Sequence, residues 1–170
     1  MPRRLFRRGP LVEASAGEPA EAVSAKREDV SDLLRREDVA GLVRALENAS
    51  PDIVLAASQA IGSLHRHGDD AMRRQTSACG PALLDAFARV RGKYAESPTG
   101  MTLGYAGWSV VGVLGEIRAP DAGPLMVSIV NDSSAAKPLR KQAARAWGRI
   151  PGGAHAEVLA QLLVHPPRIF

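Results

Sequence analysis

Residues able to do chemistry are few in this chain and stand apart from one another. His65-Arg66-His67-Gly68-Asp69-Asp70 collects side-chain types that ligate metals. A His-x-His pair closing an apolar-periodic segment reads more simply as cations facing the negative end of a helix dipole. Cys79 has Arg73 and Arg74 within two helical turns, a setting that lowers the pKa of an exposed thiol; between Ala78 and Gly80 it reads instead as a small core residue. Gly107-Trp-Ser-Val-Val-Gly112 lacks the Lys and Ser/Thr of a phosphate loop, so its glycines point to close helix packing. Ser77 and Ser109 have no histidine at local spacing. No nucleophile, positioned acid or ligand set emerges, and the expectation is a non-enzymatic protein with no cofactor and no metal.

The 170 residues suffice for one domain that buries a core without metals or disulfides. A single cysteine excludes an intrachain disulfide and suits a reducing, cytoplasmic compartment. MPRRLFRRGP lacks the apolar run of a secretory signal, and the uncharged stretch Met101–Gly115 is shorter than the ~20 residues that span a bilayer. Of the net charge of +4, residues 1–52 contribute −1 (9 Lys/Arg against 10 Asp/Glu) and residues 53–170 contribute +5 (13 against 8). The basic half admits an acidic partner, nucleic acid included.

Residues 1–26 mix Ala, Gly, Pro, Ser and Glu with scattered apolar residues and read as a flexible arm. Its Arg3, Arg4, Arg7 and Arg8 around Leu5 and Phe6 would give at most a weak membrane contact. From Arg27 helical periodicity begins, with Val30, Leu33 and Leu34, then Val39, Leu42, Val43 and Leu46. First-type helices are expected at 38–47, 81–91, 121–130 and 155–164, second-type helices at 53–64, 106–117 and 139–150. An extra helical segment fills DDAMRRQTSACG, and a loop covers 95–100. The second-type helices end alike, in QAIGSL, GVLGEI and RAWGRI, with Gly62, Gly115 and Gly148 at the same place. Self-similarity at a fixed spacing, one helix pair per period, is the pattern of an α-solenoid.

The best-preserved unit, Leu139-Arg140-Lys141-Gln142-Ala143-Ala144-Arg145-Ala146-Trp147-Gly148-Arg149-Ile150 with Asp132 in the preceding turn, resembles the HEAT repeat in the short HEAT-like form named after phycobilin lyase subunits. Residues 53–64 match less closely, with Val54 at the arginine position, and 106–117 least, with Gly107 there. The resemblance implies an all-α right-handed superhelix over residues 27–170, about three helix pairs and a C-terminal capping helix. It also implies that the second helices line a concave, ligand-facing surface. HEAT-like families include scaffolds, bilin lyases and DNA glycosylases. The His-Glu pairs of the HEAT-type iron hydroxylases are absent, since Ala156 follows His155.

On a helical wheel Leu139, Ala143, Ala146, Trp147 and Ile150 share one face, with Lys137, Arg140, Lys141, Arg145 and Arg149 on the other. Aligning the three helices on their glycines extends the outward face into rows. These are Leu55, Ser58, Gln59 and Ser63; Trp108, Val111, Gly112 and Glu116; and Lys141, Ala144, Arg145 and Arg149. Leu55, Gln59, Trp108, Gly112, Lys137, Arg140, Lys141, Arg145 and Arg149 form the expected partner-binding surface. Trp108 is its anchor, flanked by the bare backbone of Gly104 and Gly112, and the cations steer association. The expected function is binding of a protein segment, acidic or amphipathic. Nucleic acid contacted by the α-helix at 139–150 is the alternative, then a lyase or glycosylase subunit. Leu159, Leu162, Leu163 and Phe170 would form an edge able to self-associate.

Overall fold

The computed structural model describes residues 29–48, 50–96 and 101–151, and these are all-helical with no strand among them. In chain order the elements are α1 (29–35), α2 (Val39–Leu46), α3 (Pro51–His67), α4 (Asp70–Ser77), α5 (Gly80–Glu96), α6 (Met101–Glu116), a 3-10 turn (Pro120–Ala122), α7 (Gly123–Asn131) and α8 (Lys137–Trp147). The expected arm at 1–26 and capping helix at 155–164 lie outside the described residues, as do 97–100 of the expected loop. The start of that loop is helical, because α5 continues to Glu96.

Local chemistry sets the helix ends. Asp38 Oδ1 accepts from the Gly41 amide at 2.8 Å to open α2, and Asp69 Oδ1 accepts from the Met72 amide at 2.8 Å to open α4. Pro51 stands in the first turn of α3, where its missing N–H costs nothing. The α7 helix begins at Gly123, after the 3-10 turn, two residues later than its sequence suggests. Pro124 cannot donate to the carbonyl one turn earlier, so the chain tightens before the helix proper starts. Arg89 Nη2 donates to the Leu46 carbonyl at 2.9 Å, closing the C-terminus of α2 from a neighbouring helix.

The helices pack in two layers: α2 lies on α3, α5 on α6 and α7 on α8, while α6 is flanked by α3 on one side and α8 on the other. Ser58 Oγ meets Ser109 Oγ at 2.8 Å, Gly62 abuts Val113, and Arg66 pairs with Glu116, so α3 and α6 run side by side in one direction. The same holds for α6 and α8, where Gly112 lies under Gln142 and Gly115 against Ala146. At both contacts a glycine meets the residue two places ahead of the next helix's own glycine, Val113 before Gly115 and Ala146 before Gly148. Two of the three glycines seen at helix ends in the sequence, Gly62 and Gly115, lie where one second-type helix packs tightly on the next.

A Cβ on Gly115 would stand 2.5 Å from Ala146 Cα, whereas one on Gly148 would meet only its own helix's carbonyls, at 3.7 and 3.8 Å. Two substitutions that look equivalent in sequence therefore diverge. Gly115→Ala forces α6 and α8 apart and is expected to cost about 1–3 kcal/mol. Gly148→Ala stays within about 0.5 kcal/mol of neutral, as an exposed substitution does. Urea denaturation of the two variants checks this.

Turns following α1 and α6 both place a non-glycine residue in the left-handed region, Glu37 at φ 55° and Arg118 at φ 54°. Each sits in a paired turn: Asp38 and Glu37 amides donate to the Leu33 and Leu34 carbonyls, and Ala119 and Arg118 amides to those of Leu114 and Gly115. Glycine adopts this conformation without the Cβ penalty, so Glu37→Gly should stabilise the fold by about 0.5–1 kcal/mol, read from the same denaturation curves.

Candidate functional site

A helix with neighbours on several sides keeps little surface of its own, and α6 is that helix here. Ala106, Val110, Val111 and Leu114 are fully buried beneath or between its neighbours. What remains exposed on α6 is aromatic: Tyr105 at 61% and Trp108 at 41%, the exposed large hydrophobic residues among those described. They are three residues apart, so they lie on one helix face, with the open backbone of Gly104 next to them. Trp147, by contrast, is buried on α8.

Several residues of the surface expected from sequence are exposed. Trp108 faces outward, and its counterparts in the flanking helices are the half-buried Leu55 and the exposed Lys141. Gln59, Lys137, Arg145 and Arg149 are exposed. Gly112 is not bare backbone: the Gln142 amide covers it, and a Cβ there would meet Nε2 at 2.5 Å. Arg140 departs from its cationic neighbours, being partly buried, with its Nε shielded from solvent and without a hydrogen-bond partner. Ser58 and Val111, placed in the outward rows by alignment, are wholly buried. Position 58 faces the next helix, and so does position 111, because the layers turn that side of each helix inward. Ser58 satisfies its hydroxyl there with the Leu55 carbonyl at 2.9 Å and with Ser109. Tyr105 was missed because an all-round apolar helix carries no periodic signal of its exposed stripe.

Charges on the α3–α6 side are engaged within the fold. Glu116, which stands at the end of the aromatic row, pairs with Arg66 from α3. Asp132 pairs with Arg91 of α5 at 3.0 Å and accepts from the Ser134 side chain and amide, which hold its carboxyl below the usual range. The five cations of 137–149 have no acid beside them among residues 133–151.

The residues considered as chemical candidates disperse. Asp69 caps α4, Asp70 pairs with Arg73, and His67 is exposed. Among the described residues no group of three or more His, Cys, Asp or Glu could hold a metal ion. Cys79 is buried, its Sγ 3.6 Å from the Gln75 carbonyl, and burial pushes its thiol pKa up, away from the reactive thiolate.

His65 ties α3 to the inserted α4, its Nδ1 lying 2.9 Å from Oγ1 of the buried Thr76. Burial lowers its pKa from the ordinary 6.5; the Glu116 carboxylate opposes that, and the Arg73 and Arg118 cations reinforce it. The folded state thus binds fewer protons than the unfolded chain. The resulting stability is complete above pH 6.5 and is lost as pH falls below it. Denaturation midpoints should drop on acidification through that window, and His65→Gln should flatten the slope. A second comparison tests the site itself: Trp108→Ala should cost under about 1.5 kcal/mol of stability, Trp147→Ala about 3–5 kcal/mol, by thermal or urea melts.

Compared with protein-family models, with curated proteins and with solved structures, the chain matches none of them.

Proposed function

We propose that the chain is a short α-solenoid of HEAT-like helix pairs that works without catalysis, binding an acidic or amphipathic protein segment across α3, α6 and α8. The architecture is supported by the twofold use of one contact, Gly62 on Val113 and Gly115 on Ala146, at the same place in successive second-type helices. The function is supported by a single observation: Tyr105 and Trp108 stand exposed on the central helix, which packs against the cation-bearing α8. Large aromatic side chains bring much contact area at little entropic cost and anchor interfaces. Flanking cations speed the encounter with an acidic partner.

Leu55 extends the surface on the α3 side, and Lys141 and Arg145 extend it on the other. Cys79, buried and unpaired, suits the reducing cytoplasm. No helix among the described residues is long and apolar enough to cross a membrane.

Capture of partners on the immobilised full chain, with and without nuclease, tests the reading. Protein bands that survive nuclease support it; bands lost with nuclease shift the surface to nucleic acid. With a captured partner in hand, Trp108→Ala should weaken binding by about 2 kcal/mol or more while leaving the fold intact. Lys141→Glu with Arg145→Glu should slow association and reduce its salt dependence, as steering charges do. Unchanged affinity in Trp108→Ala removes the aromatic pair from the interface.

A further inference from the structure

In α3 and α6 the helix side that carries the glycine is closed by the next helix. Ser58 and Gly62 are buried against α6, Gly112 and Gly115 against α8, and Val111 on the same stretch of α6 is buried too. The equivalent positions of α8, Ala144 and Gly148, are exposed, and among the described residues nothing beyond its own helix stands within 4 Å of a Cβ at Gly148. Thus α8 presents the surface that its two predecessors use for docking a helix, with no described helix on it. The exposed cations Lys137, Lys141 and Arg145 border it, and residues 133–151 carry five positive charges and no acid.

The opposite end of the same chain has the complementary charge. Residues 29–52 hold six acids (Asp29, Asp32, Glu37, Asp38, Glu47, Asp52) against three bases (Arg35, Arg36, Arg44), a net −3. Glu37 and Glu47 are exposed and make no hydrogen bond or ion pair through their carboxylates among the described residues. We infer that the open α8 edge takes the acidic α1–α2 end of a second copy, continuing the stack head to tail. Such a contact is heterologous, joining two different surfaces, and so propagates into chains or rings rather than stopping at a symmetric pair. Small residues at 144 and 148 permit close backbone approach, and the charges orient the incoming copy. Long-range attraction of this kind is screened as the Debye length shrinks from ~10 Å at 0.1 M salt to ~3 Å at 1 M.

Sedimentation of the full chain over a range of concentrations tests the inference. At low salt, association beyond the monomer should appear and then weaken by about tenfold or more as salt is raised. Gly148→Leu, where the backbone is an ordinary helical one at φ −61° and a Cβ meets no other element among the described residues, should be folded and monomeric. Glu37→Lys with Glu47→Lys should be monomeric as well. Mixed together, these two monomers should pair, because one keeps its acidic end and the other its open edge, and should stop at a dimer. A wild-type chain that is monomeric throughout overturns the inference, as does Gly148→Leu associating like wild type or a mixture that stays monomeric. Partner capture through Trp108 is retained in Gly148→Leu, which separates this edge from the aromatic surface.

Discussion

The close approach of α8 to the backbone of α6 at Gly115, with the tight side-chain contact of Val113 and Glu116 on Gly62 at the equivalent place in α3, is the constraint from which the remaining structure follows. A side chain at Gly115 would push α6 and α8 apart, whereas one at Gly62 would have to displace the Val113 and Glu116 side chains. Because the contact is reused in the same register, the helices α3, α6 and α8 stay parallel. Each of these helices keeps a side that its described neighbours leave at least partly open. Its character is decided helix by helix: half-buried Leu55 on α3, Tyr105 and Trp108 on α6, Lys141 and Arg145 on α8.

Polar groups caught inside this packing are accommodated locally rather than used for chemistry. Ser58 and Ser109 share a hydrogen bond across the α3–α6 contact, so two hydroxyls are buried without an orphaned donor. Arg66 with Glu116 spans the same contact nearer the helix ends, and Arg91 with Asp132 joins α5 to the turn before α8. These partly exposed pairs contribute little energy individually. The inserted α4 is held through His65 and Thr76, a junction where burial lowers the histidine's pKa.

How much of this could be read from the sequence depended on the helix. Amphipathic α8 disclosed its buried face, Ala143, Ala146, Trp147 and Ile150, and its exposed cations directly, with Arg140 the exception because its side chain folds partly inward. Helix α6 disclosed almost nothing, since an element covered by α3, α5 and α8 has no polar face for periodicity to find. Its exposed residue Trp108 was reached only by aligning glycines, and the same alignment misplaced Val111 and Gly112, which the neighbouring helix covers. The shared glycine itself was legible, but its cause was not. A glycine at a helix end suggests a cap, and only the structure assigns Gly62 and Gly115 to helix–helix approach. The left-handed turns at Glu37 and Arg118 carried no glycine to announce them.

Nuclear Overhauser contacts of isotope-labelled protein test the repeated register most directly. The account predicts cross-peaks from the Ala146 methyl to the Gly115 α-protons and from a Val113 methyl to those of Gly62. Gly115 or Gly62 α-protons contacting a different helix, or contacting none, would contradict it.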